Sequence, residues 1–155
     1  MSFVVAAPAA DPVEAPISSS AFWPAIDPVK LRASQRIDSS ITPDRLRAAL
    51  IEAIASVNGE LETWRQTQIA ATYATLAAVP AEQIDNISIL LHRYERAVGC
   101  FAKADVTEHM RDYDTTNEGH SQAAALNPVI DELRRDARWA ISAILGIGRS
   151  TVELI

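Results

Sequence analysis

The sequence is poor in cysteine and in lysine. Cys100 is the only cysteine among 155 residues, so no disulfide can form within the chain, and a reducing, intracellular setting is the simplest expectation. The basic residues are twelve arginines and only two lysines, Lys30 and Lys103. Arginine pairs with carboxylates in a planar, bidentate geometry, so this composition favours contacts between proteins.

The sequence also lacks an excess of positive charge and any long apolar run. Its net charge is −6 and its pI is about 5.0, which argues against a protein whose main task is to neutralise a nucleic-acid backbone. No apolar stretch approaches the ~20 residues of a membrane-spanning helix. Residues 3–10 lack the basic flank and the length of a signal peptide, so we expect a soluble, unsecreted protein.

The first 22 residues differ in composition from the rest. Pro8, Pro12 and Pro16 recur at every fourth position and would interrupt a helix at each turn, so residues 1–22 are predicted to form an extended arm. Apolar side chains punctuate the arm, and we expect it to become ordered against a partner; a flexible leader is the alternative. A helical domain is expected for residues 23–146 and a short tail for residues 147–155.

Three helix starts are indicated by a capping residue followed directly by proline, at Asp27-Pro28, Thr42-Pro43 and Asn127-Pro128. The side-chain oxygen of the capping residue can accept a hydrogen bond from a first-turn N–H, and proline at the first helical position has no N–H to leave unpaired. A further long helix is expected to begin near Asp85 or Asn86. The last helix is expected to run from residue 128 to 145, with Gly146 as its stop.

Three of these helices carry apolar residues at helical spacing, which predicts one buried face for each. The predicted inward residues are Leu46, Leu50, Ile54, Val57, Leu61 and Trp64 in the first, Ile87, Leu91, Tyr94, Val98 and Phe101 in the second, and Val129, Ile130, Leu133, Ala137, Ala140, Ile141 and Ile144 in the third. The chain is therefore predicted to be all-α, a small bundle of three main helices plus short helices.

Two features outside the bundle pattern indicate contact surfaces. Trp139 projects from the polar face of the last helix, where a large aromatic residue is typical of a second contact surface; an arm of the same chain folding over it is the alternative. The tail after Gly146 is rich in β-branched residues and too short to form a sheet alone. It is predicted to add as a strand to another subunit, or else to fray.

Catalytic and metal-binding patterns are missing from the sequence. Asp112, Asp114 and Thr116 begin like a calcium loop, but Asn117 stands where the loop needs glycine. The three histidines lack zinc-ligand spacing, and no nucleotide loop or nucleophile motif is present. Scattered carboxylates are available for acid–base chemistry, at Glu82, Asp85, Glu95 and Asp105. We therefore expect no catalytic residue, no metal and no cofactor.

Several segments in order resemble the phage head completion proteins, the protein L family of temperate contractile-tailed phages. The resemblance covers residues 22–155 and leaves out the first 21. It is carried by residues 22–28 (FWPAIDP), 42–50 (TPDRLRAAL), 76–85 (LAAVPAEQID), 94–98 (YERAV), 111–114 (RDYD), 130–140 (IDELRRDARWA) and the closing Ile155.

The resemblance implies a structural virion protein at the head–tail junction, made in the host cytoplasm. Its implied partners are copies of itself in a ring of twelve, the phage portal protein, a neck or tail terminator protein, and DNA that passes through the channel without sequence-specific binding; no membrane partner is implied. The candidate portal-docking residues are Arg149, Thr151, Val152, Leu154 and Ile155. The candidate subunit contacts are Phe22, Trp23, Tyr113, Arg135, Arg138 and Trp139.

The residues alone leave a second hypothesis open. A helical adaptor or regulatory module would bind one partner helix in the groove between its own helices. A ring-forming connector is expected to appear as a large symmetric species with its portal, whereas an adaptor is expected to remain a monomer or to form a one-to-one complex.

Overall fold

Helices dominate the structure, and the predicted all-α fold class is confirmed. The computed structural model describes residues 14–111 and 117–148, with side chains described for residues 14–110 and 127–148. In chain order the elements are α1 (Pro28–Ser34), α2 (Pro43–Glu60), α3 (Glu62–Ala70), a 3-10 turn (Leu76–Ala78), β1 (Gln83–Ile84), β2 (Ile87–Ser88), α4 (Ile89–Arg111) and α5 (Asn117–Ile144).

Two of the three proline-marked helix starts are confirmed. Asp27 Oδ1 accepts a hydrogen bond from the backbone N–H of Val29 at 2.9 Å, and α1 begins at the proline between them. Thr42 Oγ1 accepts a hydrogen bond from the backbone N–H of Arg45 at 3.4 Å, and α2 begins in the same way. Each cap satisfies a first-turn donor that has no partner within its helix.

The third predicted start is wrong, because Pro128 lies inside α5. The helix begins at Asn117, and residues 123–126, three alanines and a leucine, are strong helix formers that continue it up to the proline. Proline in a helix interior removes one backbone hydrogen bond and clashes with the carbonyl four residues earlier. The helix-forming residues 123–126 offset part of this cost.

Replacing Pro128 with alanine is therefore expected to stabilise the protein. Restoring the backbone hydrogen bond and removing the ring should raise the free energy of unfolding by about 1–3 kcal/mol. Pro43→Ala is the matched control, since Pro43 occupies the first turn of α2 and its replacement should change that free energy by less than about 1 kcal/mol. Denaturant-induced unfolding measures both. A Pro128→Ala protein no more stable than wild type would mean that α5 starts at the proline.

α2 contributes one face to the core, and its predicted inward stripe is confirmed from Leu46 to Leu61. Trp64, the last predicted member, lies in α3 and is partly buried against the core. Leu46, Leu50, Val57 and Leu61 are fully buried, and Ile54 retains only 5% of its exposure. A stripe with this spacing removes one continuous apolar face from water, which is the main stabilising contribution in a bundle of this size.

α4 and α5 complete the bundle. The Tyr94 hydroxyl of α4 donates a hydrogen bond to Asn58 Oδ1 near the end of α2 at 2.8 Å, whereas Val106 lies beside Ile41, just before the start of α2. α4 and α2 therefore run antiparallel. Most of the predicted inward residues of α5 are buried, but Val129 is 41% exposed and its assignment to the inward face is wrong.

A β-hairpin stands where the second long helix was expected to begin. Gln83 pairs with Ser88 and Ile84 with Ile87, and the turn between them is Asp85-Asn86. Both turn residues have positive φ, 55° and 58°, a geometry that Asp and Asn tolerate better than most residues and that suits two-residue hairpin turns. α4 therefore begins later, at Ile89, and Ile87 is 38% exposed instead of inward.

From residue 14 onward the segment before α1 folds back on itself through a turn near residues 20–23 and packs on its own chain. The Ile17 N–H donates to the Ile26 carbonyl at 2.8 Å, and the Ile26 N–H donates to the Ile17 carbonyl at 2.9 Å. Ile17 is 7% exposed and belongs to the core. The core thus begins before residue 23, earlier than the expected domain boundary, while residues 1–13 lie outside the described part.

The end of α5 has the predicted glycine stop. Gly146 has a φ of 73°, and the Ile147 N–H donates to the Ser142 carbonyl at 2.9 Å, the backbone pattern of a glycine-terminated helix. The next side chain, Ile147, is 59% exposed. Within residues 14–111 and 117–148, no helix has the length and apolar character required to cross a membrane.

Candidate functional site

The structure divides the predicted subunit contacts into buried and exposed residues. Phe22 and Trp23 are only 3% and 5% exposed. Trp23 stacks on Tyr94 with ring centroids 4.9 Å apart, and Phe22 meets Trp23 edge-on at 4.8 Å. These two rings fill the chain's own core, which leaves neither exposed to a neighbouring subunit. Sequence reasoning missed this because the β-bridge that brings them inward has no local signal.

Other predicted site residues lie outside the described residues. These are Tyr113 and the tail residues Arg149, Thr151, Val152, Leu154 and Ile155, together with Asp112, Asp114 and Thr116 of the calcium-like segment. Their placement stays a prediction from the sequence.

Trp139, Arg135 and Arg138 do lie on one exposed side of α5. Trp139 retains 36% of its exposure, and the Arg135 guanidinium lies 4.5 Å from the centroid of its ring. A cation over an indole face is attracted by the ring quadrupole and holds the ring in place. Arg138 is the neighbouring residue and is exposed. Tryptophan and arginine are the residue types most enriched at the energetic centres of protein interfaces.

An acidic side chain connects this cluster to α4. Asp136 accepts hydrogen bonds from Arg135 at 3.1 Å and from Arg96 of α4 at 3.2 Å. Burial disfavours ionisation of the Asp136 carboxyl, but the two arginines outweigh it and lower the pKa of Asp136 below its ordinary value. The carboxylate therefore stays ionised and holds both guanidinium groups. We define the Trp139 face as Arg96, Arg135, Asp136, Arg138 and Trp139.

A cleft of about 240 Å³ adjoins the Trp139 face between α4 and α5. At its far end the Arg93 side chain donates a hydrogen bond to the Ala143 carbonyl at 3.0 Å. Its lining combines alanine and isoleucine with arginine, tryptophan, His92 and Asp136. His92 Nε2 lies 3.1 Å from the Ile84 carbonyl oxygen and Asp136 is paired with two arginines. Such a mixture can accept a side chain from another protein, but it holds no group poised for bond chemistry.

A second surface, the α2–α4 groove, was not predicted. It occupies about 310 Å³ between the first half of α2 and the second half of α4. It is lined by Ile41, Arg45, Ala48, Ala49, Glu52, Asp105, Val106, His109 and Met110. The only feature of the sequence that relates to this groove is the set of small residues on the outer face of α2. Small residues are equally compatible with exposure to solvent and with close approach of a neighbouring helix.

The carboxylates considered for acid–base chemistry have separate surroundings. Glu95 pairs with Lys30 at 3.0 Å, and Asp105 lies 3.6 Å from His109. Their positions on α4 are ten residues apart, about 15 Å along the helix. Glu82 is exposed before the hairpin and Asp85 is in its turn. They do not converge on one site.

Metal and thiol chemistry find no support in the described side chains. Among residues 14–110 and 127–148, no three His, Cys, Asp or Glu side chains cluster as metal ligands. Cys100 is buried, and burial raises the pKa of its thiol, which keeps the thiol protonated and poorly nucleophilic. Cys100 is therefore a core residue.

A helical bundle with an exposed aromatic and arginine face is typical of a protein that acts through contacts with other proteins. The chain belongs to the phage head completion protein (GPL) family, whose model matches residues 17–155. It is 40% identical over 152 residues to the head completion/stabilization protein of Escherichia phage P2, covering 98% of this chain and 89% of that protein. No solved structure matches the chain.

These comparisons confirm the resemblance and extend it. The family match begins at residue 17 instead of 22, at the isoleucine whose backbone pairs with Ile26. The family is one of structural head completion proteins.

Proposed function

We propose that this protein is a structural virion protein that completes the phage head as a connector ring between the portal and the neck or tail. Its 40% identity to a head completion/stabilization protein over nearly the whole chain carries this proposal. In this role it caps the portal vertex, stabilises the packaged DNA and offers a docking surface to a neck or tail terminator protein. It performs no covalent chemistry.

A ring requires one contact that repeats around an axis, made by two different patches on each copy. The Trp139 face is an exposed patch of the right chemistry, with its ring braced by Arg135 at 4.5 Å. We propose a ring of twelve copies that matches the rotational symmetry of the portal. A rigid helical bundle suits a ring subunit, because packed antiparallel helices hold the two contact patches at a fixed distance and angle.

The C-terminal segment is proposed to attach the ring to the portal. The chain leaves the bundle at Gly146 and presents Ile147 with 59% exposure. Residues 149–155 are apolar and β-branched enough to add as a strand to a sheet edge, where main-chain hydrogen bonds give affinity and alternate side chains fill pockets. Arg149, Thr151, Val152, Leu154 and Ile155 are the proposed contacts.

The acidic character of the chain fits a channel for DNA. A net charge of −6 favours repulsion of phosphates from the wall, so that DNA slides through without sticking. The proposal requires that some of the acidic residues face the channel. If the carboxylates were confined to the outside of the ring, the proposed repulsion of DNA by the channel wall would be wrong.

A complementation experiment tests the proposed function. Heads assembled without this protein are expected to lose packaged DNA and to fail to join tails, and the purified protein is expected to restore both. DNA retention is measured as protection of the packaged DNA from added nuclease. Joining of heads to tails is measured as the yield of infectious particles. Heads that retain DNA and join tails equally well without the protein would contradict the proposal.

The second candidate is an adaptor that binds a single partner helix, and the α2–α4 groove of about 310 Å³ is the observation that favours it. Mass measurement in the presence of the portal separates the two. A connector is expected at many copies per portal, and an adaptor at one copy per partner.

A further inference from the structure

We propose that the Trp139 face of one copy docks in the α2–α4 groove of the next copy around the ring. This inference rests on the proposed connector function and names both sides of its repeating contact. The occupant of the groove is a second copy of this chain.

The groove has an apolar floor and an acidic rim. Ala48, Ala49 and Val106 form the floor, and Met110, which is 44% exposed, closes one end. Small side chains on the floor leave room for a large aromatic ring from another molecule. An open apolar surface of this kind gains stability when a partner removes it from water.

The rim of the α2–α4 groove carries acidic side chains, whereas most charged side chains of the Trp139 face are arginines. Glu52 and Asp105 line the groove, and both also line a smaller cleft of about 140 Å³ that continues it toward α5. Arg45 and His109 lie at the rim as well, with His109 Nδ1 3.6 Å from Asp105 Oδ1. With His109 counted as neutral, Arg45, Glu52 and Asp105 give the groove one negative charge. Arg134 lines the smaller cleft, where it pairs with Glu108 of α4.

The Trp139 face has the complementary charge and shape. Arg96 and Arg135 both pair with Asp136, and Arg138 and Glu132 are exposed on the same side of α5. These three arginines and two carboxylates sum to one positive charge. Trp139 stands among them with 36% of its surface exposed. Inserting the indole of Trp139 between α2 and α4 of the next copy would bury it. The flanking guanidinium groups would then approach Glu52 and Asp105, and this pairing would both attract the two copies and fix their relative position.

The two surfaces lie on opposite sides of α4. Arg96 of the Trp139 face and Asp105 of the groove are nine residues apart on α4, which corresponds to about 2.5 helical turns and about 14 Å of rise. Half a turn of residual rotation places them on opposite sides of the helix. Patches on opposite sides cannot pair with themselves and instead form a head-to-tail contact that closes into a ring when the rotation between copies permits.

Cross-linking between copies tests the contact. Ala48→Cys places a thiol on the groove floor, and Ser142→Cys places one a turn beyond Trp139 on α5. Within one chain Ala48 lines the groove with Val106, and Ala143, the residue after Ser142, lines the cleft with Ile89. Val106 and Ile89 are 17 residues or about 26 Å apart on α4. A short bis-maleimide cannot span that distance, and the buried Cys100 gives little background.

The expected result is a ladder of covalent oligomers from the double-cysteine protein assembled on its portal. Each single-cysteine protein should give no ladder, because a head-to-tail contact does not bring two identical positions together. A ladder from a single-cysteine protein would overturn the proposal, and so would portal-bound double-cysteine protein that stays unlinked. In the second case the copies would still be on the portal and the connector function would stand.

Charge reversal provides the second measurement. Arg138→Glu and Glu52→Arg are each expected to lower the number of copies bound per portal at least about fivefold at limiting protein, and combining them should restore most of it. Glu60→Arg, at an exposed position near the end of α2 and outside the groove lining, serves as a control with the same charge change as Glu52→Arg. Equal loss in the single and combined variants would contradict the pairing.

The groove could instead be covered by residues 1–13 of the same chain. In that case the Ala48→Cys thiol of the free protein would react slowly with a maleimide probe and would react much faster once residues 1–13 are removed. That result would overturn the proposal of a second copy. Equal, rapid reaction with and without those residues is the expected outcome.

Discussion

Trp23→Ala is expected to destabilise the fold by about 3–5 kcal/mol. The ring is 5% exposed and lies between Tyr94, on which it stacks at 4.9 Å, and Phe22, which it meets edge-on at 4.8 Å. Its removal leaves a cavity that the surrounding aromatic rings cannot fill without moving. Because domains of this size are stable by only about 5–15 kcal/mol, a large part of the folded population would be lost near physiological temperature.

Trp139→Ala is the matched control, since it removes the same side chain from an exposed position. Its effect on the free energy of unfolding is expected to stay within about 1 kcal/mol. Denaturant-induced unfolding followed by circular dichroism measures both proteins. Comparable destabilisation by the two substitutions would contradict the division into a core tryptophan and a surface tryptophan.

Removal of residues 149–155 is expected to weaken binding to the portal strongly and leave the bundle folded. The bundle ends at α5 and its glycine stop, so the free energy of unfolding should change by less than about 0.5 kcal/mol. Loss of an added strand with its anchoring side chains should weaken portal binding roughly 100-fold, equivalent to about 2.7 kcal/mol. Co-sedimentation with purified portal rings measures the binding.

A chain in which glycine and serine replace these seven residues is the control for length. It should fail in the same way as the truncated chain, because the side chains of Val152 and Leu154 are proposed to fill the pockets. Portal binding and head stability equal to wild type in the truncated protein would rule out the tail as the attachment.

The elements that could be predicted from the sequence are those with strong local signals. The caps at Asp27 and Thr42 act on donors two or three residues away, and the stripe of α2 repeats over four turns. Asn127-Pro128 shows the same local signal, yet the helix continues through it because the preceding alanine-rich residues favour helix. A local rule predicts a start only where the residues before it do not themselves form helix.

Long-range pairing explains the other differences. Phe22 and Trp23 were candidate subunit contacts, because nothing near them in sequence reveals the backbone pairing between Ile17 and Ile26 that accompanies their burial. The Asp85-Asn86 turn was treated as a helix start, although two residues that tolerate positive φ are equally typical of a hairpin.

The candidate site was predicted only in part. Trp139 violates the polar pattern of its helix face, and this violation identified it together with Arg135 and Arg138. The α2–α4 groove depends on the packing of two helices whose facing positions lie more than fifty residues apart, at Ala48 and Val106. Concave surfaces of this kind arise from tertiary packing and have no local pattern that could reveal them.

Electron cryo-microscopy of the portal vertex of filled heads tests the connector function most directly. The predicted result is a closed ring of copies directly beneath the portal, twelve by the proposed match in symmetry, with the end of α5 directed toward the portal. Copies distributed over the head shell, or a portal vertex without a ring of this protein, would contradict the account.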